Sequence, residues 1–136
     1  MSQDNVELVR RATEALSEGG AERALALHLY TEDVLVYPTS EWPDDDVDRG
    51  HSGFRRLYHA WADNFDDLSM ELQEIRDVGD QVVSLFEWRG RLKDSDIPIC
   101  EAWGAVNSFR DGCISDVRLF RSHRQALVTV GLAEEA

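Results

Sequence analysis

The feature that most constrains this chain is a long run of strand-forming sequence between residues 68 and 121. Short turn sequences interrupt the run at Gly79-Asp80, at residues 93–96 and at Asp111-Gly112. Consecutive strands joined by such short turns pair in antiparallel fashion. The sequence therefore predicts an antiparallel meander of four long strands, with bounds of 68–77, 81–92, 98–110 and 113–121.

The segment ahead of the meander has helical spacing. Residues 4–18 repeat apolar side chains every three or four positions, and Gly19-Gly20 ends the run. Residues 21–30 consist mostly of strong helix formers, which predicts a short second helix. The apolar residues 34–37, stopped by Pro38, predict a short first strand.

A third helix is predicted from Ser52, and it carries an aromatic stripe. The stripe recurs at helical spacing and consists of Phe54, Leu57, Tyr58, Trp61 and Phe65. We expect this stripe to face the sheet. Residues 124–132 add either a short terminal helix or a frayed end. In order, the elements predict one α+β domain over residues 1–136, with three N-terminal helices packed on the sheet.

The charge of the chain excludes two classes of partner. With 27 acidic and 14 basic residues, the net charge is −13, which repels nucleic acid and anionic membrane surfaces. The sequence contains no apolar stretch of membrane-spanning length, and we expect a cytoplasmic protein. We therefore predict no nucleic-acid partner and no membrane partner.

Motifs for bound cofactors and metals are missing from the sequence. It has no phosphate-binding glycine loop, no dinucleotide fingerprint and no zinc-ligand spacing, so we predict no cofactor and no metal. Cys100 and Cys113 are predicted to lie on opposite sheet faces as free thiols. The aspartates of residues 44–48 lack the glycine of a calcium loop and indicate a solvated loop.

The turns set a predicted strand register. Pairing Phe109 with Cys113 places Glu101 opposite Arg121, Trp103 opposite Leu119, and Asn107 opposite Ser115. In the preceding hairpin, we expect Glu87 near Trp103 and Arg89 near Glu101. One sheet face would then carry all of these polar groups among apolar neighbours, covered by the aromatic stripe of the third helix.

Two interpretations of that face stay open. The polar groups could form a structural ion-pair network of Arg89, Glu101 and Arg121 that binds nothing. Alternatively, apolar walls with a few convergent polar groups form a pocket for a small hydrophobic molecule. Burial beside a tryptophan would then raise the pKa of a glutamate toward the range of a general acid or base.

Two residues near the third helix are further candidates. Trp42 lies in the polar loop of residues 39–50, where it acts either as a lid over the pocket or as a loop anchor. His51 precedes the helix and is either a general base at the pocket mouth or a capping or surface histidine.

The chain resembles a known family over nearly its whole length. The resemblance lies in VELVRRATEAL followed by GG, VLVYPTSEWP, RGHSGFRRLYHAW, GDQVVSLFEWRGR and RDGCISDVRLF. These segments are similar to SnoaL-like (polyketide cyclase-like) proteins of the nuclear transport factor 2-like superfamily. The resemblance implies a cone-shaped α+β barrel with a curved mixed sheet and a pocket between sheet and helices. It also implies a homodimer that forms through the outer sheet face.

The resemblance names no single reaction, because the superfamily includes cyclases, isomerases, hydrolases, dehydratases and binding modules. Positions that carry acids or the oxyanion tyrosine in ketosteroid isomerases match Ala12, Ala105 and Tyr37 here, and the last-strand aspartate of cyclases and epoxide hydrolases matches Leu119. The chain is therefore expected to be either a cofactor-independent isomerase, cyclase or hydrolase acting on a hydrophobic substrate, or a non-catalytic ligand-binding or dimeric interaction module.

The candidate residues follow from both lines of reasoning. The catalytic candidates are Glu87, Glu101, His51 and Tyr37. The ligand-binding candidates are Tyr37, Trp42, Tyr58, Trp61, Arg89, Glu101, Trp103, Asn107 and Leu119. The outer face that would form the dimer is predicted to carry Ser84, Phe86, Trp88, Cys100, Ala102 and Gly104.

Overall fold

The computed structural model describes residues 2–38 and 47–133. Within them, helices and strands follow one another in the order α1 (Ser2–Ala26), β1 (Tyr30–Tyr37), β2 (Asp48–Arg49), α2 (Gly50–Ala62), β3 (Phe65–Asp77), β4 (Gln81–Leu92), β5 (Pro98–Arg110), β6 (Cys113–Phe120) and α3 (His123–Thr129). The predicted α+β class is confirmed, as are the bounds of β4 and β5.

Helix α1 contains the two N-terminal helices predicted from the sequence. They run together as one element with a kink at Gly20, whose φ of 69° and ψ of −159° are not helical. A side chain at this position would be strained, because the left-handed region disfavours a Cβ atom. It would also meet the ring of Tyr58 at 3.2 Å. The kink therefore lets α2 lie close to α1.

Several predicted boundaries are wrong. Strand β1 begins at Tyr30 rather than at residue 34, so the helical prediction for residues 21–30 ran too far. Phe65 begins strand β3 instead of ending the helix before it, although its ring still contacts Trp61 at 4.7 Å between centroids. Residues 48–49, predicted as loop, form β2 because they pair with Leu35 and Val36 of β1.

The strands form one mixed sheet in the order β2-β1-β6-β5-β4-β3. Strands β3 to β6 are the predicted antiparallel meander. Strand β1 pairs with β6 in parallel, which makes the sheet mixed. No helix in the described parts of the chain is both long and apolar enough to cross a bilayer. The cytoplasmic location stays a prediction.

The register between β4 and β5 differs from the prediction by one residue, and this changes which face each side chain occupies. Phe86 lies opposite Trp103, and Trp88 lies opposite Glu101. Because alternate residues point to opposite faces, a shift of one residue moves a whole strand's side chains across the sheet. The loop between these strands is longer than a two-residue turn, so its sequence did not fix the register.

The last hairpin also differs from the predicted pairing. Arg110 lies opposite Cys113, and an irregularity between Ser108 and Phe109 shifts the pairs beyond it by one residue. Ala105 therefore lies opposite Leu119, and Asn107 opposite Val117. Beyond the irregularity the shift totals two residues relative to the predicted pairs, so Ala105, Asn107, Val117 and Leu119 share one face as predicted. Beside the turn the shift is one residue, and Phe109 lies opposite Ile114 instead of Cys113.

The outer face of the sheet is covered in part by α3. Ala126 is fully buried there in a small apolar cluster with Val83, Leu85 and Val106. A Cβ atom on Gly104 would lie 2.6 Å from the Cβ of Ala126, so the glycine permits this close approach. The side chain of Ser122 caps the helix by accepting a hydrogen bond from the Gln125 backbone N–H at 3.1 Å.

This contact predicts a coupling between Gly104 and Ala126. Gly104→Ala should lower the free energy of unfolding by about 1–3 kcal/mol, because the added methyl overlaps a helix held by its own packing. Ala126→Gly should relieve that overlap, so the double variant should lose less than the sum of the two single variants. Chemical denaturation of the four proteins measures this, and strictly additive losses would contradict the contact.

Candidate ligand-binding site

A cavity of about 100 Å³ lies between α1, α2 and the inner face of the sheet. The helices and the strands both contribute to its wall. The lining residues are Val9, Ala12, Thr13 and Leu16 of α1, Phe54, Leu57, Tyr58 and Trp61 of α2, and Tyr30, Val36, Met70, Ser84, Phe86, Trp88, Trp103, Ala105, Asn107, Val117 and Leu119 of the strands.

Three tryptophans form one side of the cavity. The ring centroid of Trp61 lies 4.8 Å from that of Trp103 and 6.0 Å from that of Trp88. These two ring pairs are tilted, and the pair of Trp88 with Trp103 is edge-on, as is typical of aromatic contacts. The indole nitrogens of Trp61 and Trp88 are buried without a hydrogen-bond partner among the described residues.

Asn107 contributes the one side-chain amide among the described residues that line the cavity. It is 4 % exposed, and its Nδ2 donates to the Val82 carbonyl oxygen at 3.1 Å. The same nitrogen lies 3.4 Å from the Ser84 hydroxyl oxygen. Because the Val82 carbonyl needs a donor, the amide orientation is fixed and Oδ1 is left as the acceptor.

Tyr30 is a second polar group of the wall, and the sequence did not identify it. Its ring contacts Phe54 at 4.7 Å between centroids. Burial raises the pKa of its hydroxyl above the ordinary tyrosine value, so the group is a neutral phenol at physiological pH. It was missed because residues 21–30 have helical composition, which hid the first residue of β1.

Glu101 and Arg121 form an ion pair at the edge of the tryptophan cluster. Oε1 of Glu101 accepts from Arg121 Nη2 at 2.7 Å and from the Trp103 indole N–H at 3.1 Å. The guanidinium also lies over the Trp103 ring, 5.8 Å from its centroid. The predicted contact between Glu101 and Arg121 is therefore present, and it holds a ring of the cavity wall in place.

Glu87 and Arg89 lie on the outer face, which corrects the prediction that they face the cavity. Arg89 donates to Glu87 at 2.6 Å and contacts Glu71 at 3.3 Å. The hydrogen bond from Arg89 lowers the pKa of Glu87, which is the opposite of what a general acid needs. The one-residue register shift between β4 and β5 places both side chains outside.

The same shift exchanges the residues predicted for the outer face. Ser84, Phe86 and Trp88 lie inside and line the cavity, whereas Cys100 and Ala102 are exposed on the outer face as predicted. Gly104 is also on that face, beneath α3. The homodimer stays a prediction, and its surface contains fewer apolar side chains than the sequence indicated.

The other candidates fall into different places. Tyr37 lies opposite Arg118 of β6, whose guanidinium is 5.3 Å from the ring centroid, and it faces away from the cavity. His51 lies in the first turn of α2 outside the cavity lining, with its Nε2 buried. Trp42 lies outside the described residues. Tyr58, Trp61, Trp103, Asn107 and Leu119 line the cavity, and their contact with a ligand stays a prediction.

The described wall of the cavity is uncharged. None of its lining residues is an acid, a base or a histidine. Partial burial, with Asp63 nearby, raises the pKa of Tyr58, so this hydroxyl is also neutral. Residues 2–38 and 47–133 contain no cluster of three or more metal-ligating side chains. The arrangement can enclose a largely apolar molecule and form hydrogen bonds to it through neutral groups.

Comparison with known proteins identifies the relatives of this chain. The family model of the SnoaL-like domain matches residues 9–117. Among curated proteins, none matches the chain.

Solved structures share the fold at low sequence identity. A candidate SnoaL-like polyketide cyclase from Jannaschia sp. CCS1 is 17% identical with a TM-score of 0.74, covering 98% of this chain and 95% of its own. A candidate hydroxylase from Streptomyces galilaeus is 14% identical with a TM-score of 0.73, covering 100% and 90%. A protein with a ketosteroid isomerase-like fold from Catenulispora acidiphila, in complex with trimethylamine, is 14% identical with a TM-score of 0.71, covering 93% of this chain and 94% of its own.

The burial of Tyr30 predicts a pH dependence of stability. Above the unfolded tyrosine pKa of about 10, the unfolded chain has lost a proton that the folded chain keeps. The contribution of the Tyr30 proton to the free energy of unfolding should therefore be fully present below that pH. It should fall with rising pH by about 1.4 kcal/mol per unit until the folded group also ionises.

Tyr30→Phe removes the titrating hydroxyl, so the variant should lose this part of the alkaline slope. Urea denaturation of both proteins between neutral and strongly alkaline pH measures the difference. Equal slopes for the two proteins would contradict the buried, neutral assignment of Tyr30.

Proposed function

This chain belongs to the SnoaL-like domain family, and we propose that its cavity binds a small, uncharged and largely apolar molecule. The observation that carries the proposal is the composition of the wall. Aromatic and aliphatic side chains enclose the space, and a fixed amide interrupts them at Asn107. Apolar concave sites with a few placed polar groups are the usual form of small-molecule sites.

The geometry favours binding over acid–base catalysis. A glutamate that acts as a general acid or base would be free of partners and directed into the cavity. Glu101 is instead paired with Arg121, and Glu87 is paired with Arg89 on the opposite face. The remaining hydroxyls of the wall are held neutral, so they serve as hydrogen-bonding groups for a ligand.

The relatives support a small-molecule role without naming the ligand. The structural neighbours include a candidate polyketide cyclase and a candidate hydroxylase. The Catenulispora protein was solved with a small organic molecule, trimethylamine. A cavity of about 100 Å³ suits a molecule of similar scale, up to about one six-membered ring.

Filling the cavity tests the proposal. Ala105→Phe adds a ring at a buried position of the wall, whereas Ala102→Phe adds the same ring at an exposed position on the opposite face of β5. In wild type, a small aromatic hydrocarbon such as toluene should bind and raise the melting temperature. Ala105→Phe should abolish this shift, and Ala102→Phe should retain it.

Calorimetric titration and thermal unfolding with and without toluene provide the two measurements, and circular dichroism establishes that both variants are folded. A response that survives in folded Ala105→Phe, or that is missing in wild type, would refute binding in this cavity.

A homodimer through the outer sheet face is a second, separate proposal. Cys100 and Ala102 expose small side chains on β5 that permit close approach of a second sheet. Ala102→Arg should therefore shift the mass at micromolar concentration from dimer to monomer in light scattering. Asp80→Arg, at an exposed turn at the far end of β4, should leave the mass unchanged. A monomeric wild type would refute the dimer.

A further inference from the structure

Three neutral polar groups of the cavity lie on the strand side of its wall. Asn107 and Ser84 lie on the neighbouring strands β5 and β4, and both are almost fully buried. Tyr30 contributes a third group from β1. The wall also contains the Thr13 hydroxyl, which donates to the Val9 carbonyl oxygen, the Tyr58 hydroxyl and the tryptophan indole nitrogens. The rest of the wall is apolar, so unused hydrogen-bonding capacity faces an environment with little competition from water.

Each of these three groups has a hydrogen-bond donor or acceptor that no described residue uses. Asn107 commits Nδ2 to the Val82 carbonyl, and its Oδ1 accepts no hydrogen bond from the described residues. The Ser84 oxygen is approached by Asn107 Nδ2, and no described residue accepts its hydroxyl proton. The Tyr30 hydroxyl has no hydrogen-bond partner in the described chain, and burial alone raises its pKa. These three groups therefore offer one acceptor and two donors, beside the indole N–H donors of Trp61 and Trp88, which have no partner among the described residues.

A charged ligand group does not fit this arrangement. No described lining residue could neutralise an ion, and an unpaired ion in an apolar site carries a large desolvation cost. The net charge of −13 further disfavours an anion. The polar end of the ligand is therefore neutral.

A hydroxyl group matches the capacities of the wall. It donates one hydrogen bond, which Asn107 Oδ1 can accept, and its oxygen can accept from Ser84 or Tyr30. An ether or ketone would leave the Asn107 acceptor without a donor, and a hydrocarbon would leave all three groups unmatched. Buried polar groups without partners cost free energy, so the wall discriminates among ligands of one shape.

We propose that the cavity selects a neutral alcohol, a small apolar ring or chain that bears one hydroxyl group, through a hydrogen bond to Asn107. This inference rests on the proposed function, because it specifies which uncharged molecule the same cavity prefers. Asn107 is then the residue that determines specificity, while the tryptophans and the aliphatic residues supply the apolar contact.

Three probes of the same size test the proposal. Ethylbenzene, anisole and benzyl alcohol have equal numbers of non-hydrogen atoms. Ethylbenzene has no polar group, anisole has a hydrogen-bond acceptor only, and benzyl alcohol has both a donor and an acceptor. Asn107→Leu replaces the amide by an apolar group of similar shape. This substitution should lower the affinity for benzyl alcohol by about fivefold or more. The affinities for ethylbenzene and anisole should stay the same or increase.

Calorimetric titration measures the affinity of each probe for wild type and for the variant. Each probe is compared with itself in the two proteins, so differences in hydrophobicity between probes cancel. Asn64→Leu, which changes an exposed asparagine at the end of α2, is the control and should alter none of the affinities. In wild-type protein, benzyl alcohol should also shift the Asn107 side-chain amide resonances in NMR spectra, and ethylbenzene should shift them less. This measurement holds even if the leucine variant does not fold.

The outcomes separate the two proposals. If ethylbenzene binds but Asn107→Leu changes all three affinities alike, or the amide resonances respond equally to both probes, selection of an alcohol is overturned and the apolar cavity stands. If none of the three probes binds wild type, the proposed function fails and the alcohol proposal fails with it.

Discussion

The pairing of β4 with β5 is the interaction on which the site depends. It places Phe86 opposite Trp103 and Trp88 opposite Glu101, so the large aromatic side chains of both strands project to the same face. With the neighbouring register, Glu87 and Arg89 would project inward and the cavity would contain an ion pair. A shift of one residue thus separates an apolar cavity from a charged network. The contact between the rings of Trp88 and Trp103 is its direct result.

Much of this fold follows from the sequence because its signals are local. Turn residues and alternating apolar residues delimit β4 and β5 to the residue, and the helical spacing of Phe54, Tyr58 and Trp61 identifies the helix that covers the sheet. The face assignments were less accessible. The five-residue loop of residues 93–97 permits more than one register, and the parity of β4 is decided by packing across the whole sheet rather than by the loop sequence.

The candidate site was predicted in part for the same reason. Residues on the strand and helix faces that were assigned correctly, such as Trp61, Trp103 and Asn107, line the cavity. Arg89 was placed inside by the register error, and Tyr37 by matching positions in the family rather than by its own pairing with Arg118. Tyr30 was hidden because helix-forming residues precede it directly. Local composition does not show where α1 ends and β1 begins, because β1 forms by pairing in parallel with β6, which is distant in the sequence.

Strand β5 separates two packing environments that share one backbone. Trp103 and Ala105 face the cavity, while Gly104 between them meets Ala126 of α3 on the outer face. For protein engineering, this sets where diversity can be introduced. A library that varies Ala105 and Leu119 would reshape the cavity. Substitutions at Gly104 or Ala126 would instead displace the backbone of β5, which holds Trp103 and Ala105 in place. The glycine thus belongs with the fixed scaffold, even though it lies one residue from the positions an engineer would vary.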